Sequence, residues 1–489
     1  MQTCYLAVDI GASSGRHIIG TVEHGVMALH EVYRFENRLI EKNGHLCWDM
    51  EGLVQNVIEG LKAAHDAGYT PTTVGIDTWA VDFLLLDADG TPIGDPVAYR
   101  DGRTAAMREE LEPILPFTKL YARTGIQYQS FNTVYQLCAL KKEHPEQLAA
   151  AEHFLMVPDY LNYRLTGVMA NEYTNASTTA LVGAISKDWD DEIINRLGLP
   201  RKIFGRISTP GTKLGNLSSA VKGYVGFDCT VVLPATHDTG SAFLAVPARD
   251  DKAVYLSSGT WSLLGTELDA PILTADSCQS GLSNELGANG KINYLKNIIG
   301  LWLIQESRRE YKRRGQAYSF AELEQQALAA EPLRSFIDPD APEFVAPGDL
   351  PSRIQEFCRK TGQPVPETVG AVMRCIYESL ALKYRYAIEQ LSAVTGRAFT
   401  TLHVLGGGTK DRLLCQMTAD CCGLTVKAGP VEATALGNIM IQLKALGLLD
   451  SITQGRRLIA ETEVIKTYTP STQNYAEWNA AYDRFEPLL

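Results

Sequence analysis

The sequence lacks the features that mark membrane, secreted and nucleic-acid-binding proteins. No stretch approaches the roughly 18 uncharged apolar residues of a membrane helix, and the first residues lack the pattern of a signal peptide. Positive charge is in short supply, because 45 Lys and Arg residues face 57 Asp and Glu residues, for a formal net charge of −12. An acidic balance disfavours nucleic acid and anionic membranes. We therefore expect a cytoplasmic protein that binds neither.

Zinc-type cysteine patterns are also missing. The ten cysteines include no C-x-x-C pair, and no histidine lies at a spacing that would complete a zinc site. This pattern predicts reduced, mostly buried cysteines. A pair such as Cys358 and Cys375 could form a disulfide if the fold brings the two together, and the sequence leaves that open.

The length and the periodicity indicate an α/β protein with more than one domain. A chain of 489 residues is too long for one ordinary core. Helical periodicity over 50–67, and again over 372–391 with Pro366 in its first turn, alternates with apolar strand-like runs. Residues 74–86 are predicted to form a pair of strands, closed by a turn at 87–90.

Two turns rich in glycine and serine separate apolar strands, one in each half of the chain. In the first half, strands at 5–10 and 17–22 flank the turn; the second hairpin covers 254–265. Such turns are common in hairpins, but they also leave backbone N–H groups free to face phosphate oxygens. Together they predict a clamp on a triphosphate, with Asp9 suited to a water-bridged Mg²⁺ and Arg16 suited to neutralising phosphate charge.

A triple glycine at 406–408 lies between an apolar strand and a helical pattern. It lets the backbone lie flat against a planar or phosphorylated ligand, near a helix N-terminus. The alternative is a tight turn between strand and helix, which usually needs one glycine rather than three. We favour the ligand contact.

Asp238 follows an apolar run and lies among small residues. A carboxylate at a strand end can act as a general base, taking the proton of a sugar hydroxyl as that oxygen attacks phosphorus. His237 could orient the substrate or simply cap the loop. Without further context, either residue alone is more often structural.

The order and separation of three strings, DIGASSGR, SSGTWS and LGGG, resemble the phosphate and adenosine segments of the actin–hexokinase–heat-shock ATPase fold. Further strings, including GIDTWAVDF, EYTNASTTAL, THDTGSA and KNIIGLWLIQE, extend the likeness from residue 9 to about residue 440. On these strings the chain resembles the FGGY carbohydrate kinases. The resemblance implies two actin-like (ribonuclease H-like) α/β domains, at 1–246 and 247–489, with a catalytic cleft between them.

The same resemblance implies an activity, its cofactors and its site residues. It implies Mg²⁺-assisted transfer of the ATP γ-phosphoryl group to the 1-hydroxyl of L-rhamnulose, with L-fuculose or L-xylulose as alternative ketoses and a non-kinase ATPase as a more distant rival. We expect a monomer or a small homo-oligomer. The implied residues are Asp238 as catalytic base; Ala12, Ser13, Ser14, Gly15, Arg16, Thr260, Gln305 and Gly407 for the nucleotide; Ala80, His237, Asp238, Thr239 and Asn297 for the sugar; and Asp9 for the metal, through water. Asp82 and Asp101 are additional polar candidates near the sugar.

Three positions depart from the family pattern. Ala80 stands where many members of this branch have glycine, which predicts a slightly tighter sugar pocket. Asp411 follows the triple glycine where asparagine is usual, which puts a side-chain contact to the nucleotide there in doubt. The wider family's Lys-x-Trp signature is missing near residue 135, where Asn132–Leu137 stands instead.

Overall fold

The computed structural model describes residues 3–23, 25–248 and 250–489, which contain twenty strands and nineteen α-helices. The strands are β1 Cys4–Ile10, β2 Ser14–Glu23, β3 Val26–Glu36, β4 Leu39–Lys42, β5 His45–Trp48, β6 Thr73–Thr78, β7 Phe83–Leu86, β8 Pro92–Ile93, β9 His153–Met156, β10 Asn171–Glu172, β11 Ile207–Ser208, β12 Lys213–Asn216, β13 Thr230–Val232, β14 Ala253–Ser258, β15 Trp261–Leu268, β16 Ser283–Leu286, β17 Ile292–Ile299, β18 Thr401–Leu405, β19 Thr425–Ala428 and β20 Lys466–Tyr468. The helices are α1 Met50–Asp66, α2 Met107–Leu111, α3 Phe117–Thr124, α4 Thr133–Glu143, α5 Pro145–Ala150, α6 Val157–Thr166, α7 Tyr173–Ser177, α8 Asp191–Arg196, α9 Ser219–Val225, α10 Asp238–Leu244, α11 Ala275–Gln279, α12 Trp302–Arg313, α13 Phe320–Ala329, α14 Leu350–Lys360, α15 Val369–Thr395, α16 Arg412–Cys422, α17 Ala433–Ala445, α18 Ile452–Thr462 and α19 Tyr475–Phe485.

These elements form two compact units, and each unit contains more than one stretch of the chain. The first unit comprises Met1–Pro247, Glu267–Tyr294 and Ala433–Thr462. The second comprises Ala248–Thr266, Leu295–Glu432 and Glu463–Leu489. Within the three described ranges, no helix is both long and apolar enough to span a membrane.

The central sheet of the first unit has the strand order β12-β13-β6-β1-β2-β3. Strand β1 pairs antiparallel with β2 and parallel with β6, and β6 in turn pairs parallel with β13. Every residue of β1 is buried, and β6 is buried throughout, as expected for parallel strands covered on both faces. Helix α17 packs against β1 and β6, and α10 packs against α17.

The second unit repeats this pairing pattern. Strand β14 pairs antiparallel with β15 and parallel with β18, β18 pairs parallel with β19, and β19 pairs antiparallel with β20. In the first unit, the corresponding run β2-β1-β6-β13-β12 has the same sequence of antiparallel and parallel pairings. The weak repeat of the two Gly/Ser hairpins in the sequence is therefore a repeat of architecture, and the α/β fold is confirmed.

The helical periodicity predicted α1 and α15 well. Helix α1 begins after Asp49, whose side chain accepts a hydrogen bond from the amide of Gly52, and it ends one residue short of the predicted end. Helix α15 begins after Thr368, which caps it through the amide of Ala371. The expectation that Pro366 lies in the first turn is wrong, because Thr368 supplies the capping hydroxyl two residues later.

The strand pair predicted over 74–86 is also wrong in its pairing. Both strands exist, but β6 lies in the central sheet while β7 pairs with β8 and β9 in a separate three-stranded sheet. The turn at 87–90 joins β7 to β8 instead. Local alternation of apolar residues indicates that a strand forms but does not select its neighbour.

The cysteines are mostly buried, as predicted. Eight are buried, Cys278 and Cys422 are partly exposed, and all ten are free thiols. The fold does bring Cys358 of α14 and Cys375 of α15 together, within hydrogen-bonding contact.

Candidate functional site

Asp238 is the first residue of α10 and lies beside the end of β6. The segment that leads to it runs parallel to β6, where the amide of Thr78 donates to the carbonyl of Thr236 at 2.9 Å. A β-bridge joins Thr78 to His237. The sequence predicted a strand-end loop for Asp238, and the structure places it at a helix N-terminus instead. Its carboxylate Oδ1 accepts from the backbone amide of Thr239 at 2.6 Å.

The carboxyl group of Asp238 is accessible yet electrostatically perturbed. About a third of its side chain is exposed (31%), which leaves a face open to a ligand. The surrounding protein atoms still desolvate the group and raise its pKa to about 6, with His237 opposing the rise and Asp9 adding to it. A carboxyl group with a pKa near the working pH is suited to accepting a proton.

Asp9 and Arg16 face each other across the first hairpin. They are direct partners in the β1–β2 ladder, and an Arg16 Nη2–Asp9 Oδ2 ion pair spans 2.6 Å. The pairing exists because β2 begins at Ser14, three residues before the predicted start, so that Arg16 belongs to a strand rather than to the turn. Both side chains are largely buried, at 21% and 12% exposure.

Asp77 lies on β6 at the same level as Asp9 and is completely buried. Asn438 of α17 donates to its Oδ2 at 2.5 Å. Burial and the nearby Asp9 carboxylate raise the pKa of Asp77 well above its usual value. Through the hydrogen bond from Asn438, Asp77 anchors α17 to β6.

The donor set around Asp9 suits a magnesium ion that keeps most of its water. Across the described ranges, no group of three or more His, Cys, Asp or Glu residues could form an all-protein cage. Mg²⁺ is usually held by one or two carboxylates together with water and substrate phosphates. Asp9 provides one such carboxylate, with 12% of its side chain exposed.

The two glycines of the first turn, Gly11 and Gly15, are needed for different reasons. A Cβ at Gly15 would lie 2.1 Å from the ring of Phe35, so this glycine makes room for the aromatic side chain. A Cβ at Gly11 would meet only the Ser14 carbonyl, at 3.8 Å. The turn is closed by the Gly11 amide, which donates to that carbonyl at 2.9 Å. Ala12 and Ser13 lie at its tip, and Ser14 opens β2.

The backbone at Ala80 adjoins a strained residue. Val81 has a φ of 67°, in the left-handed region that a β-branched residue rarely adopts. Two hydrogen bonds hold its carbonyl, from Thr133 Oγ1 at 2.7 Å and from Gln136 Nε2 at 3.3 Å. Strained backbone of this kind clusters at functional sites, where the surrounding structure fixes it.

Two buried polar side chains join the Ala80 segment to the loop before Asp238. The side-chain Nδ2 of Asn175 donates to the backbone carbonyls of Trp79, at 3.4 Å, and Thr236, at 3.3 Å. Glu172, fully buried, accepts from the amide and the hydroxyl of Thr236, at 3.1 and 2.6 Å. The candidates Ala80, His237, Asp238 and Thr239 are thereby brought together within the first unit.

Asp82 and Asp101 have their oxygens occupied by the protein. Asp82 accepts from the indole nitrogens of Trp48 and Trp79, from Gln136 Nε2 and from the amide of Tyr99. Asp101 caps a short 3₁₀ turn through the amide of Arg103 and also accepts from the amide of Leu46. Each therefore has a structural explanation that needs no sugar.

The nucleotide candidates of the second unit gather at the turn of the β14–β15 hairpin. Thr260 Oγ1 donates to Gln305 Oε1 of α12 at 3.5 Å, and the amide of Trp302 donates to the Thr260 carbonyl at 3.2 Å. Asn297, the remaining sugar candidate, lies on β17 in this second unit rather than with Ala80 and Asp238.

The triple glycine combines close packing with an open position. A Cβ at Gly408 would lie 2.0 Å from the Ser258 hydroxyl, and Gly406 has a φ of 76° with the Ser258 carbonyl 3.2 Å from its ideal Cβ. These two glycines are therefore required by contact with β14. Gly407 is exposed and meets only the Ser258 carbonyl, at 3.9 Å. Of the three, Gly407 has backbone that a ligand can approach.

Asp411, which departs from the family's asparagine, caps α16. Its Oδ1 accepts from the amide of Leu414 at 3.0 Å, and the Tyr377 hydroxyl is a further hydrogen-bond partner. We expect Asp411→Ala to lower the free energy of unfolding by about 1 kcal/mol, because the cap is lost. Asp411→Asn should be nearly neutral, because asparagine caps as well as aspartate. Urea unfolding of both variants tests this, and equal losses would contradict the capping role.

Sequence reasoning missed three side chains of this site. Glu172 and Asn175 lie in the string EYTNASTTAL, which carried the family resemblance but suggested no role. Glu285 lies 3.2 Å from His237, through its Oε2 and the ring Nδ1, although 48 positions separate the two in the sequence. No local pattern around Glu285 signals this contact.

Two family models and a set of curated relatives match most of the chain. Residues 4–245 match the N-terminal domain of the FGGY family of carbohydrate kinases, and residues 254–446 match its C-terminal domain. The chain is 48% identical over 463 residues to a rhamnulokinase of Halalkalibacterium halodurans, covering 95% of this chain and 98% of the relative. It is 45% identical to one of Bacteroides thetaiotaomicron, covering 99% of each chain, and 39% identical to one of Bacillus subtilis, covering 95% of each.

Solved structures of sugar kinases share the fold at low sequence identity. A gluconate kinase of Lactobacillus acidophilus superposes with a TM-score of 0.82 at 15% identity, covering 100% of this chain and 98% of that one. A ligand-bound xylulose kinase of the same organism gives 0.82 at 16% identity, covering 99% and 97%. A Plasmodium falciparum glycerol kinase with ADP gives 0.78 at 15% identity, covering 100% and 98%.

Proposed function

The chain belongs to the FGGY family of carbohydrate kinases, and from that premise we propose that it transfers the γ-phosphoryl group of ATP to the 1-hydroxyl of L-rhamnulose, producing L-rhamnulose 1-phosphate and ADP. The observation that carries the proposal is the accessible, perturbed carboxyl group of Asp238 beside the Asp9–Arg16 hairpin. The choice of ketose is supported by relatives named rhamnulokinase that are 39–48% identical over nearly the whole chain.

In this proposal Asp238 is the general base. Its carboxylate accepts the proton of the 1-hydroxyl as that oxygen attacks phosphorus, and Thr239 fixes its orientation through the backbone amide. His237 and the backbone at Ala80 contact the sugar, and Asn297 is a further sugar ligand. Phosphoryl transfer depends mainly on positioning and on charge neutralisation, so these contacts supply much of the rate enhancement.

The nucleotide is assigned to the turns of both hairpins and to Gly407. The segment Ala12–Arg16 contacts the phosphates, with Arg16 contributing positive charge, and Thr260, Gln305 and Gly407 complete the nucleotide site. When bound, Mg²⁺ would neutralise charge on the phosphates, and Asp9 would hold it through water.

The perturbed pKa of Asp238 predicts how activity depends on pH. Because the base works deprotonated and its pKa is raised to about 6, kcat/KM should fall about tenfold per pH unit as the pH drops below 6. An unperturbed aspartate would keep full activity down to about pH 4. The profile is measured between pH 4.5 and 8, with circular dichroism confirming that the protein stays folded. A plateau extending below pH 5 would contradict the assignment.

A coupled ADP-release assay with a panel of sugars tests the function. L-rhamnulose is compared with L-fuculose, L-xylulose, D-fructose and glycerol, each with ATP and Mg²⁺. We expect the highest kcat/KM with L-rhamnulose. A clear preference for another ketose would replace the substrate, and ADP release indifferent to every sugar would overturn the kinase proposal itself.

A further inference from the structure

Glu285 and His237 form a buried contact behind Asp238. Glu285 lies on β16, and its Oε2 is 3.2 Å from His237 Nδ1. On the other side of the same ring, Nε2 lies 3.5 Å from Asp238 Oδ1. The side chains of Glu285 and His237 are only 6% and 7% exposed, whereas Asp238 is open to a ligand. The imidazole therefore lies between a buried carboxylate and the proposed base.

The backbone around this ring is fixed independently of Glu285. The amide of His237 donates to Thr174 Oγ1 at 3.2 Å, and its carbonyl accepts from the amide of Ser241 within α10. These contacts fix the main chain but not the rotation of the imidazole or the position of its protons. A partner on Nδ1 fixes both.

We propose that Glu285 is a positioning residue for phosphoryl transfer, which keeps a proton on His237 Nδ1 and holds Nε2 toward Asp238. The inference rests on the proposed function, because it gives Glu285 its role through the base of that reaction. Glu285 acts on the reacting atoms through His237. It differs in this from Glu172, whose hydrogen bonds go to Thr236 and to α7.

The charges around His237 show how Glu285 would affect the base. Burial alone would lower the pKa of His237, but Glu285, Asp238 and Glu172 together raise it above its usual value. A protonated imidazole beside Asp238 favours the carboxylate form of that residue. Glu285 therefore helps to keep Asp238 ready to accept a proton. Without it, Asp238 should deprotonate only at a higher pH.

The experiment compares Glu285→Gln, Glu285→Asp and the control Glu267→Gln in the full-length protein. Glu267 is also a largely buried carboxylate of the first unit, but it pairs with Arg456, 2.9 Å away. We expect Glu285→Gln to lower kcat/KM for the ketose about tenfold at pH 7. We also expect it to shift the acidic limb of the kcat/KM–pH profile to higher pH, by up to about one unit. Glu285→Asp should keep much of the kcat/KM and of the pH profile of the unmodified protein. Glu267→Gln should leave the acidic limb of the pH profile where it is.

A double-mutant cycle with His237→Asn tests whether the effect passes through the imidazole. If it does, adding Glu285→Gln to His237→Asn should cause little further loss, because the residue through which Glu285 acts is already gone. The inference would be overturned if Glu285→Gln caused the same loss of kcat/KM in the His237→Asn background as in the unmodified protein. It would also be overturned if the acidic limb of the pH profile did not move in Glu285→Gln. Binding of ATP, followed by calorimetry, should be unchanged in all variants, and its loss would mark a merely structural effect and also overturn the inference.

The two proposals fail in different ways. If the unmodified protein phosphorylates no sugar of the panel, the proposed function fails before any variant is compared. If it phosphorylates a ketose but Glu285→Gln matches it in kcat/KM and in pH profile, the role of Glu285 alone is wrong.

Discussion

Asp238→Asn should reduce kcat for ketose phosphorylation by about 10³-fold, within the range that a positioned general base contributes. Asparagine has the same shape and can keep the hydrogen bond from the Thr239 amide, 2.6 Å long in the unmodified protein. It cannot take up the proton of the sugar hydroxyl. ATP binding should therefore persist while turnover is lost, which separates chemistry from binding.

The measurements are a coupled ADP-release assay for turnover and calorimetric titration for ATP affinity. Asp190→Asn is the control, because Asp190 likewise lies at a helix N-terminus, where it accepts from the amide of Ile193 at 3.1 Å and from Arg123 Nε at 2.7 Å. Asparagine caps equally well, so this variant should turn over normally. Near-normal turnover by Asp238→Asn would remove Asp238 from the role of base.

Gly437→Ala should both destabilise the protein and lower its turnover. Gly437 lies in α17, and a Cβ there would be 1.9 Å from the carbonyl oxygen of Ser241 and 2.7 Å from its carbon. Both atoms belong to the backbone of α10, so no side-chain rotation relieves the clash. Overpacking of this kind costs about 1–3 kcal/mol. Because α10 begins with Asp238, the shift that relieves the clash also moves the proposed base.

Urea unfolding and kcat are measured together, with Gly223→Ala as the control. Gly223 is likewise a glycine inside a helix, α9, but a Cβ there would meet nothing within 4 Å. That variant should gain about 0.5–1 kcal/mol, because alanine loses less conformational freedom on folding, and its turnover should not change. If the two variants behaved alike, the close packing of α10 on α17 would not constrain the site.

Much of the candidate site could be proposed from sequence because its residues lie in short, contiguous strings. The turns at Gly11 and Gly259, the triple glycine, and the pair of His237 and Asp238 are each recognisable from a few neighbouring residues. A strand–turn–strand unit is determined by neighbouring residues, since it depends on apolar alternation and on glycines that allow sharp turns.

The separation of β6 from β7 and the function of Asp411 as a helix cap illustrate what such strings omit. Strand partners are chosen by long-range packing, and a cap depends on where a helix begins to within one residue. The resemblance to the family located Asp411, but only the hydrogen bond to the Leu414 amide shows what its side chain does.

The sequence by itself determined the α/β class, the repeated hairpins and the family, because these follow from local patterns and from strings that extend along nearly the whole chain. Only the tertiary structure decided which charges surround the proposed base. Glu172 contacts Thr236 and Glu285 lies beside His237, each from a separate strand, and Asn438 holds Asp77 from a helix more than 360 positions away in sequence. These contacts depend on distance in space, which residue order does not encode.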